Sequence, residues 1–98
     1  MAKTNDALNI LDSLHQEDLE IQAMIAEATL NARVAQMIHH ARTDAGLTQQ
    51  QLAERIGTKQ SVIARLEDAD YEGHSLSMLQ RIAEALNQKV EIQLTPIG

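Results

Sequence analysis

Apolar residues recur every three or four positions along most of the chain, the spacing that places them on one face of an α-helix. The first such stretch, residues 6–14, predicts a short helix with Asp6 as its N-cap. His15 and Gln16 are expected to interrupt it. The apolar stripe of residues 17–45 then fits either one bent helix or two.

Polar residues and glycines mark the ends of the later helices. Thr48 and Gln51 have the spacing of a capping box, in which each side chain accepts a hydrogen bond from the other residue's backbone amide. Residues of similar kinds mark the other predicted ends, namely Gly46, Gly57, Thr58, Ser75 and Asn87. The apolar residues expected to face a core are Leu52, Ala53, Ile56, Val62, Ile63, Leu66, Leu76, Leu79, Ile82, Ala83 and Leu86.

Near the end of the sequence the period changes from helical to alternating. Val90, Ile92 and Leu94 alternate with polar residues, which predicts a strand over residues 89–95 with one apolar face. Because one strand cannot satisfy its own backbone groups, we expect it to pair with the same strand of a second subunit. The alternative is a β-like tail packed on its own domain.

Composition narrows the classes of function. The chain has 98 residues, no cysteine and a single aromatic residue, Tyr71. It is therefore expected to form one domain with an aliphatic core, and disulfide scaffolds and thiolate metal sites are excluded. No apolar run is long enough to span a membrane, and the first residues lack the pattern of a secretory signal. These features predict a cytoplasmic protein with no membrane partner.

Catalytic and metal-binding patterns are missing from the sequence. His39 and His40 are neighbours on a predicted helix and point about 100° apart, so they cannot chelate a metal together. The acidic stretch of residues 68–72 lacks the glycine and glutamate spacing of a calcium loop. We expect no metal, no cofactor and no enzymatic activity.

The net charge of −6 argues against nucleic acid until its distribution is considered. Residues 1–30 carry one basic and six acidic side chains, whereas the remainder carries seven basic and eight acidic ones. Between Arg42 and Arg65 there are four basic and two acidic side chains. The acidity thus belongs mainly to the first thirty residues, and the middle of the chain is locally positive.

From Gln49 onwards the spacing is that of two short helices joined by a turn, the DNA-reading helix-turn-helix. Ala53 is small enough for the second helix to cross closely over it. Gly57 can take the positive φ that the turn requires. Ile63 and Leu66 are placed to anchor the second helix to the core.

These residues resemble the phage-repressor-type (XRE, Cro-like) helix-turn-helix family over about residues 33–87. The matching residues are Gly46, Leu47, Thr48, Gln49, Leu52, Ala53, Gly57, Thr58, Ile63, Leu66 and Glu67. The resemblance implies an all-α, lambda-repressor-like domain that binds palindromic double-stranded DNA as a homodimer. It also implies that Gln49 touches a phosphate and braces the recognition side chains. An ion pair between Arg42 and Glu67 would tie the first helix to the end of the recognition helix.

The candidate DNA contacts lie on the two motif helices. They are Thr48, Gln49, Thr58, Lys59, Gln60, Ser61, Ala64 and Arg65. Gln60 offers a donor beside an acceptor, which suits N6 and N7 of adenine, and Lys59 or Arg65 suits guanine or phosphate. Helix amides near Thr48 and Thr58 suit phosphate oxygens. The alternative is that residues 59–61 are only a solvated helix start, and Arg55 and Arg81 are expected to be solvated.

Residues 1–30 form an acidic, amphipathic helical extension ahead of the domain of residues 31–87 and the tail of residues 88–98. The extension, the motif and the ending together resemble HigA-type antitoxins, which bind a small basic ribonuclease toxin and repress their own operon. Leu8, Leu11 and Leu14 would then anchor the toxin, and the acidic surface would suit its charge. The alternative is that these leucines cover the domain's own core or enlarge the dimer interface.

The sequence therefore predicts a nucleoid-associated, bacterial-type repressor that acts as the antitoxin of a type II toxin–antitoxin pair. A stand-alone transcriptional regulator of the same family is the alternative. A third possibility is an interaction adaptor that no longer binds DNA.

Overall fold

A computed structural model describes the backbone of residues 2–97 and the side chains of residues 7–97. This part of the chain forms four helices, which are α1 (Ala2–Asp44), α2 (Gln49–Ile56), α3 (Gln60–Leu66) and α4 (Leu76–Ala85). The chain divides into two compact units, one ending at Leu30 and the other beginning at Asn31. The helical fold that the apolar spacing predicted is confirmed.

The first unit is helical throughout its described residues. The predicted cap at Asp6 is wrong because α1 already begins at Ala2, and the predicted break at His15 and Gln16 is also wrong. Proline stops a helix because it has no amide hydrogen and fixes the backbone. Histidine and glutamine have neither property, so a helix can continue through them. Every side chain from residue 7 to residue 30 is exposed.

In the second unit the end of α1 is closed by Gly46. This glycine has a φ of 73°, a left-handed conformation that costs glycine little. Its amide donates to the carbonyl of Thr43 at 2.9 Å, and the amide of Leu47 donates to the carbonyl of Arg42 at 3.2 Å. These bonds satisfy carbonyls that the helix itself leaves open, and the predicted stop is confirmed.

Helix α2 is capped at both ends by its own local residues. The amide of Gln51 donates to Oγ1 of Thr48 at 3.1 Å, and the amide of Thr48 donates to Oε1 of Gln51 at 2.8 Å, so the predicted capping box is confirmed. Gly57 closes the other end with a φ of 75°. The sequence pattern located both ends because each depends on residues within one helical turn.

Thr58 does not cap α3, contrary to the prediction. Its amide donates to the carbonyl of Ala53 at 2.9 Å and so completes the end of α2. The cap position of α3 is Lys59, whose side chain makes no capping bond. Helix α3 begins at Gln60, so Thr58 lies one residue too early in the chain to cap it.

Helix α4 begins after Ser75 and ends before Asn87, the polar residues that predicted its two ends. Oγ of Ser75 accepts from the amide of Met78 at 3.1 Å. Asn87 has a φ of 57°, and the next amide donates to the carbonyl of Ala83 at 2.7 Å. Leu76 is 65% exposed, so its predicted core position is wrong. The first turn of α4 extends past the core, and Met78 is the first side chain of the helix that packs against it.

The core of the second unit is aliphatic, as the composition predicts. Leu52 of α2 and Ile63 of α3 are its largest fully buried side chains. The other buried apolar residues are Ala35, Ile38, Ala53, Leu66, Ile82, Ala83 and Leu86. Tyr71, in the loop between α3 and α4, is half-buried against this cluster. Since α2 packs on both α3 and α4, the core fixes the position of the two motif helices.

The predicted strand over residues 89–95 is not seen, and residues 2–97 contain no strand at all. A strand is defined by bonds to a neighbouring strand, and one chain offers none in its described part. Val90 is half-buried, whereas Ile92 is exposed and Leu94 is 95% exposed. The alternative was a tail packed on its own domain. In the structure such packing reaches Val90 but not Ile92 or Leu94.

None of the helices in residues 2–97 combines the length and the apolar content that crossing a bilayer requires.

Candidate nucleic-acid interface

Helices α2 and α3, joined by residues 57–59, form the helix-turn-helix unit. The two helices pack on each other, and Ala53 of α2 and Ile63 of α3 are both inaccessible to solvent. A side chain as small as alanine lets α3 approach α2 closely, because protein interiors leave no spare room at such a crossing. The unit is thus a rigid support for the side chains on its outer surface.

Most of the predicted DNA contacts lie on that outer surface. The exposed ones are Thr48, Lys59, Gln60, Ser61 and Arg65, and the half-buried ones are Gln49, Thr58 and Ala64. Lys59 is the N-cap residue of α3, and Arg65 lies in its last turn. The surface combines amide, hydroxyl and cationic groups, which are the groups that bind base edges and phosphates.

Gln60 is held in place by Gln49. Nε2 of Gln60 donates to Oε1 of Gln49 at 2.6 Å. The bond joins the first residue of α3 to the first residue of α2. It leaves Oε1 and one hydrogen on Nε2 of Gln60 for a ligand, which is one acceptor beside one donor.

Behind this pair, the carboxylate of Glu67 is bound to Arg42 of α1. Nε and Nη2 of Arg42 donate to the two carboxylate oxygens at 2.6 and 2.9 Å. Nη1 of Arg42 donates to the carbonyl of Leu47 at 2.7 Å. The structure therefore brings the two predicted partners together and ties α1 to the residue that follows α3.

Two more side chains bind the same carboxylate. Nδ1 of His39 lies 2.7 Å from Oε1 of Glu67, and Nε2 of Gln49 donates to that oxygen at 3.5 Å. A carboxylate only accepts, so a hydrogen bond to Glu67 requires the proton on Nδ1 of His39, whereas Nη2 of Arg42, 3.2 Å from the same nitrogen, can only donate to the other tautomer. Sequence reasoning considered His39 only as a metal ligand and missed this bond. The available signal was its spacing of three residues from Arg42 on one helix face.

The ion pair is charged at neutral pH. Burial opposes ionisation of Glu67, but the hydrogen bonds from Arg42 and His39 and the charge of Arg42 outweigh it, so the pKa of Glu67 lies below its ordinary value. The hydrogen bond to Glu67 raises the pKa of Arg42 against the opposing effect of burial. A fixed negative charge therefore lies next to Gln49.

The start of α2 keeps two amides available for a phosphate. The capping box uses the amides of Thr48 and Gln51, which leaves those of Gln49 and Gln50 directed outward from the helix N-terminus. The amide of Thr58 is already bonded to α2. The amides of Gln60 and Ser61 at the start of α3 have no bond within the described part of the fold, so amides at both predicted helix starts stay available.

Arg55 and Arg81 bind the ends of each other's helices. Arg55 of α2 donates to the carbonyl of Ala85 at the end of α4, and Arg81 of α4 donates to the carbonyl of Ile56 at the end of α2. Cations at these positions offset the partial negative charge of a helix C-terminus. The structure gives both arginines a bracing role in addition to their solvent exposure.

A family model described as helix-turn-helix matches residues 38–92, more than half of the chain. The chain belongs to this helix-turn-helix family. The match is to the XRE-type branch, whose members are DNA-binding regulators, and it covers the whole α2–α3 unit and α4. None of the curated proteins compared with the chain shows significant similarity to it.

Proposed function

We propose that the protein is a homodimeric repressor that binds a palindromic site in double-stranded DNA, with α3 in the major groove. The bond between Gln60 and Gln49 carries this proposal, because an amide held in one place can distinguish one base edge from another. Lys59, Arg65 and the amides at the start of α2 supply the phosphate contacts that fix the register.

Selection of binding sites from randomised duplexes, followed by direct binding measurements, tests this proposal. Gln60→Ala should weaken binding by about 1–3 kcal/mol at one base pair of each half-site and leave other positions unchanged. Gln80→Ala is the matched control, because Gln80 is an exposed helical glutamine that also bonds a neighbouring side chain. An equal loss on every sequence would mean that Gln60 does not read a base.

The tail of residues 88–97 supports dimer formation in this proposal. The amide of Gln88 bonds Ala83, but residues 89–97 form no ladder with another strand, and Ile92 and Leu94 are exposed. Antiparallel pairing of two tails would satisfy these backbone groups and bring Val90, Ile92 and Leu94 of both subunits together. Two linked subunits could then place two recognition helices in half-sites about one DNA turn apart.

The first unit supports a more specific role, as the antitoxin of a type II toxin–antitoxin pair. Leu8, Leu11 and Leu14 are 56%, 60% and 52% exposed, among other exposed apolar side chains of this helix. Exposed apolar surface of this kind marks an interaction site. Residues 1–30 carry six acidic side chains and one basic one, which favours a basic partner over a second acidic copy. A small basic ribonuclease, implied by the resemblance to HigA-type antitoxins, meets both requirements.

Inhibition of a ribonuclease that co-purifies from the source cell tests the antitoxin role. Replacing Leu8, Leu11 and Leu14 together by serine should abolish co-purification and inhibition of RNA cleavage, while DNA binding persists. Leu76→Ser is the control, since Leu76 is at least as exposed as these leucines but lies on α4. Full inhibition by the triple variant would exclude this leucine surface. Specific DNA binding without any such partner would favour the stand-alone regulator.

A further inference from the structure

The backbone of the tail that is open to a partner strand is residues 89–95. On one side of it, the amide of Gln88 already donates to the carbonyl of Ala83 at 2.7 Å, and Leu86 is buried at the end of α4. On the other side, Pro96 has no amide hydrogen to donate. Within the described residues 2–97, no strand lies against this window. Any ladder that the tail forms must therefore fit between these two limits.

We propose that the two tails of the dimer pair in a single register, in which Ile92 faces Ile92 of the second copy across the two-fold axis. Residue 92 is the midpoint of the window of residues 89–95. This inference rests on the proposed function, in which two tails pair antiparallel, and it adds which residues face each other.

The window has the chemistry to bind a second copy of itself. Its charged side chains are Lys89 and Glu91, which are exposed and have 3.1 Å between Nζ and Oε1, so the window carries no net charge. Two copies therefore do not repel each other there. Because side chains two apart share one face of a strand, this ion pair would lie on the face opposite Val90, Ile92 and Leu94.

Only some registers keep the apolar residues of both strands on one face. A slip by one residue would set apolar side chains opposite polar ones, so the two-fold axis must pass through a residue position between 90 and 93. With the axis at Ile92, every residue of the window has a partner. Val90 then faces Leu94 of the second copy, and the pair occurs twice by symmetry.

The other three positions of the axis give poorer ladders. An axis at Val90 pairs only residues 89–91, because the rest would have to face the end of α4. An axis at Glu91 sets two carboxylates directly opposite each other, which is destabilising. An axis at Gln93 leaves the first two residues of the window unpaired, because the ladder ends at the proline. The window thus favours Ile92 through both its length and its charges.

The polar face also suits this register. Glu91 faces Gln93 of the second copy, whose side-chain amide can donate to the carboxylate. Lys89 faces Thr95, so no like charges are directly opposite each other. Residue 93 therefore lies beside a negative charge of the partner strand, a relationship that the other three registers do not produce.

Single cysteines can locate the axis directly, because the chain has no cysteine of its own. The variants are Val90→Cys, Glu91→Cys, Ile92→Cys and Gln93→Cys, followed under mild oxidation on non-reducing gels. Ile92→Cys should form a disulfide-linked dimer at least about tenfold faster than the others, since facing Cα atoms lie about 5 Å apart whereas a diagonal pair exceeds the roughly 7 Å that a disulfide spans. Urea that unfolds the domain should remove the difference.

A mixture of two variants checks the same register without altering Ile92. Val90→Cys and Leu94→Cys should each cross-link slowly alone, because neither residue faces its own copy. When they are mixed and allowed to exchange subunits, a disulfide between the two different chains should form rapidly. Val90→Cys mixed with Gln93→Cys is the control and should stay slow.

A charge placed at residue 93 provides a test without cysteine. Gln93→Lys puts a cation opposite Glu91 twice in each dimer, so it should strengthen the dimer by about twofold to thirtyfold, the range for two cross-strand ion pairs. The matched variant Gln93→Glu should weaken the dimer, because it sets like charges opposite each other. Sedimentation at several concentrations measures both changes.

The results separate this inference from the proposed function. Fastest cross-linking at another of the four positions, or a weaker dimer with Gln93→Lys, would overturn the register while the dimer stands. Equally slow cross-linking at all four positions in a protein that sediments as a dimer would overturn the pairing of the tails. A wild type that is monomeric at every concentration would overturn the proposed dimer and this inference with it.

Discussion

Arg42 and Glu67, 25 residues apart in the sequence, are joined by two hydrogen bonds of 2.6 and 2.9 Å and have almost no solvent exposure. The same guanidinium binds the carbonyl of Leu47, just ahead of α2. One side chain thus connects the end of α1, the start of the motif and the end of α3. Its removal would leave a buried carboxylate without its cation.

Arg42→Ala should destabilise the domain by about 3–5 kcal/mol, the usual cost of leaving one member of a buried ion pair alone. Urea unfolding followed by circular dichroism measures the change. Arg33→Ala, at an exposed position on the same helix, should change stability by less than about 0.5 kcal/mol. Replacing both members, as Arg42→Met with Glu67→Leu, should cost less than Arg42→Ala alone, and a larger cost would contradict this account.

The stabilising effect of Glu67 should depend on pH. Its folded-state pKa is lower than the ordinary value, so its contribution is complete above the unfolded pKa and is lost as the pH falls through the folded one. The difference in unfolding free energy between the wild type and Glu67→Gln should therefore be constant from pH 7 to about 5 and shrink below about 4.3. Thermal unfolding across this range tests it, with Glu72→Gln as the control, and a difference that stayed constant would refute it.

Gly57→Ala should cost about 1–2 kcal/mol through backbone strain alone. The φ of Gly57 is 75°, and an added Cβ would meet no atom within 4 Å. Asparagine adopts this conformation more readily, so Gly57→Asn should cost less than Gly57→Ala. Unfolding free energies of the two variants check the order. Equal costs would mean that the left-handed conformation is not the cause.

Gly73→Ala should be destabilising for a different reason, since its Cβ would lie 2.6 Å from Cζ of Tyr71. The ring packs against the core, so moving it away would cost part of that packing. In a Tyr71→Leu background the same glycine substitution should cost much less, because the obstacle is gone. A double-mutant cycle measures this coupling, and additive costs would show that the ring is not responsible.

Ile92→Pro should convert the proposed dimer into a monomer, because proline removes a ladder donor from the centre of the tail. Sedimentation at several concentrations measures the change, and Ile97→Pro, beyond the proposed strand, is the control. A dimer that survives Ile92→Pro would rule out pairing of the tails.

Lys59→Gln should weaken binding about equally on all DNA sequences and reduce the slope of log affinity against log salt by about 0.9. The reason is that a lysine contacting phosphate releases a counterion whatever the base sequence. Titrations at several salt concentrations measure the slope. Lys89→Gln, at an exposed lysine of the tail, should leave it unchanged, and a change confined to one base pair would instead make Lys59 a base reader.

The ends of the helices were predictable because each depends on neighbouring residues. The capping box of Thr48 and the left-handed Gly46 and Gly57 lie where the pattern predicted. Thr58 was predicted wrongly because α3 begins at Gln60, so its cap position is Lys59, while the amide of Thr58 donates to the carbonyl of Ala53. The strand predicted around Ile92 is not seen, and the described part of the chain offers no neighbouring strand with which it could pair.

The candidate site was predictable only in its residue types. The resemblance implied that Gln49 braces the recognition side chains, and the structure bonds it to Gln60. It could not indicate that Glu67 also binds His39 and Gln49, because the first contact depends on how the end of α1 lies beside the motif and the second on how α2 packs on α3. Sequence spacing describes one helix at a time, whereas these bonds join side chains from different elements.

Tyr71 gives the protein a built-in optical probe. The chain has no Trp or Phe, so Tyr71 is its only residue of this aromatic group. The ring of Tyr71 meets that of His74 edge-on, with 5.0 Å between the centroids. Its hydroxyl donates to the carbonyl of Gly73. Near-ultraviolet circular dichroism and intrinsic fluorescence must therefore arise from this one ring, between α3 and α4. These two signals can therefore report whether the loop that follows α3 is packed on the core, without any added label.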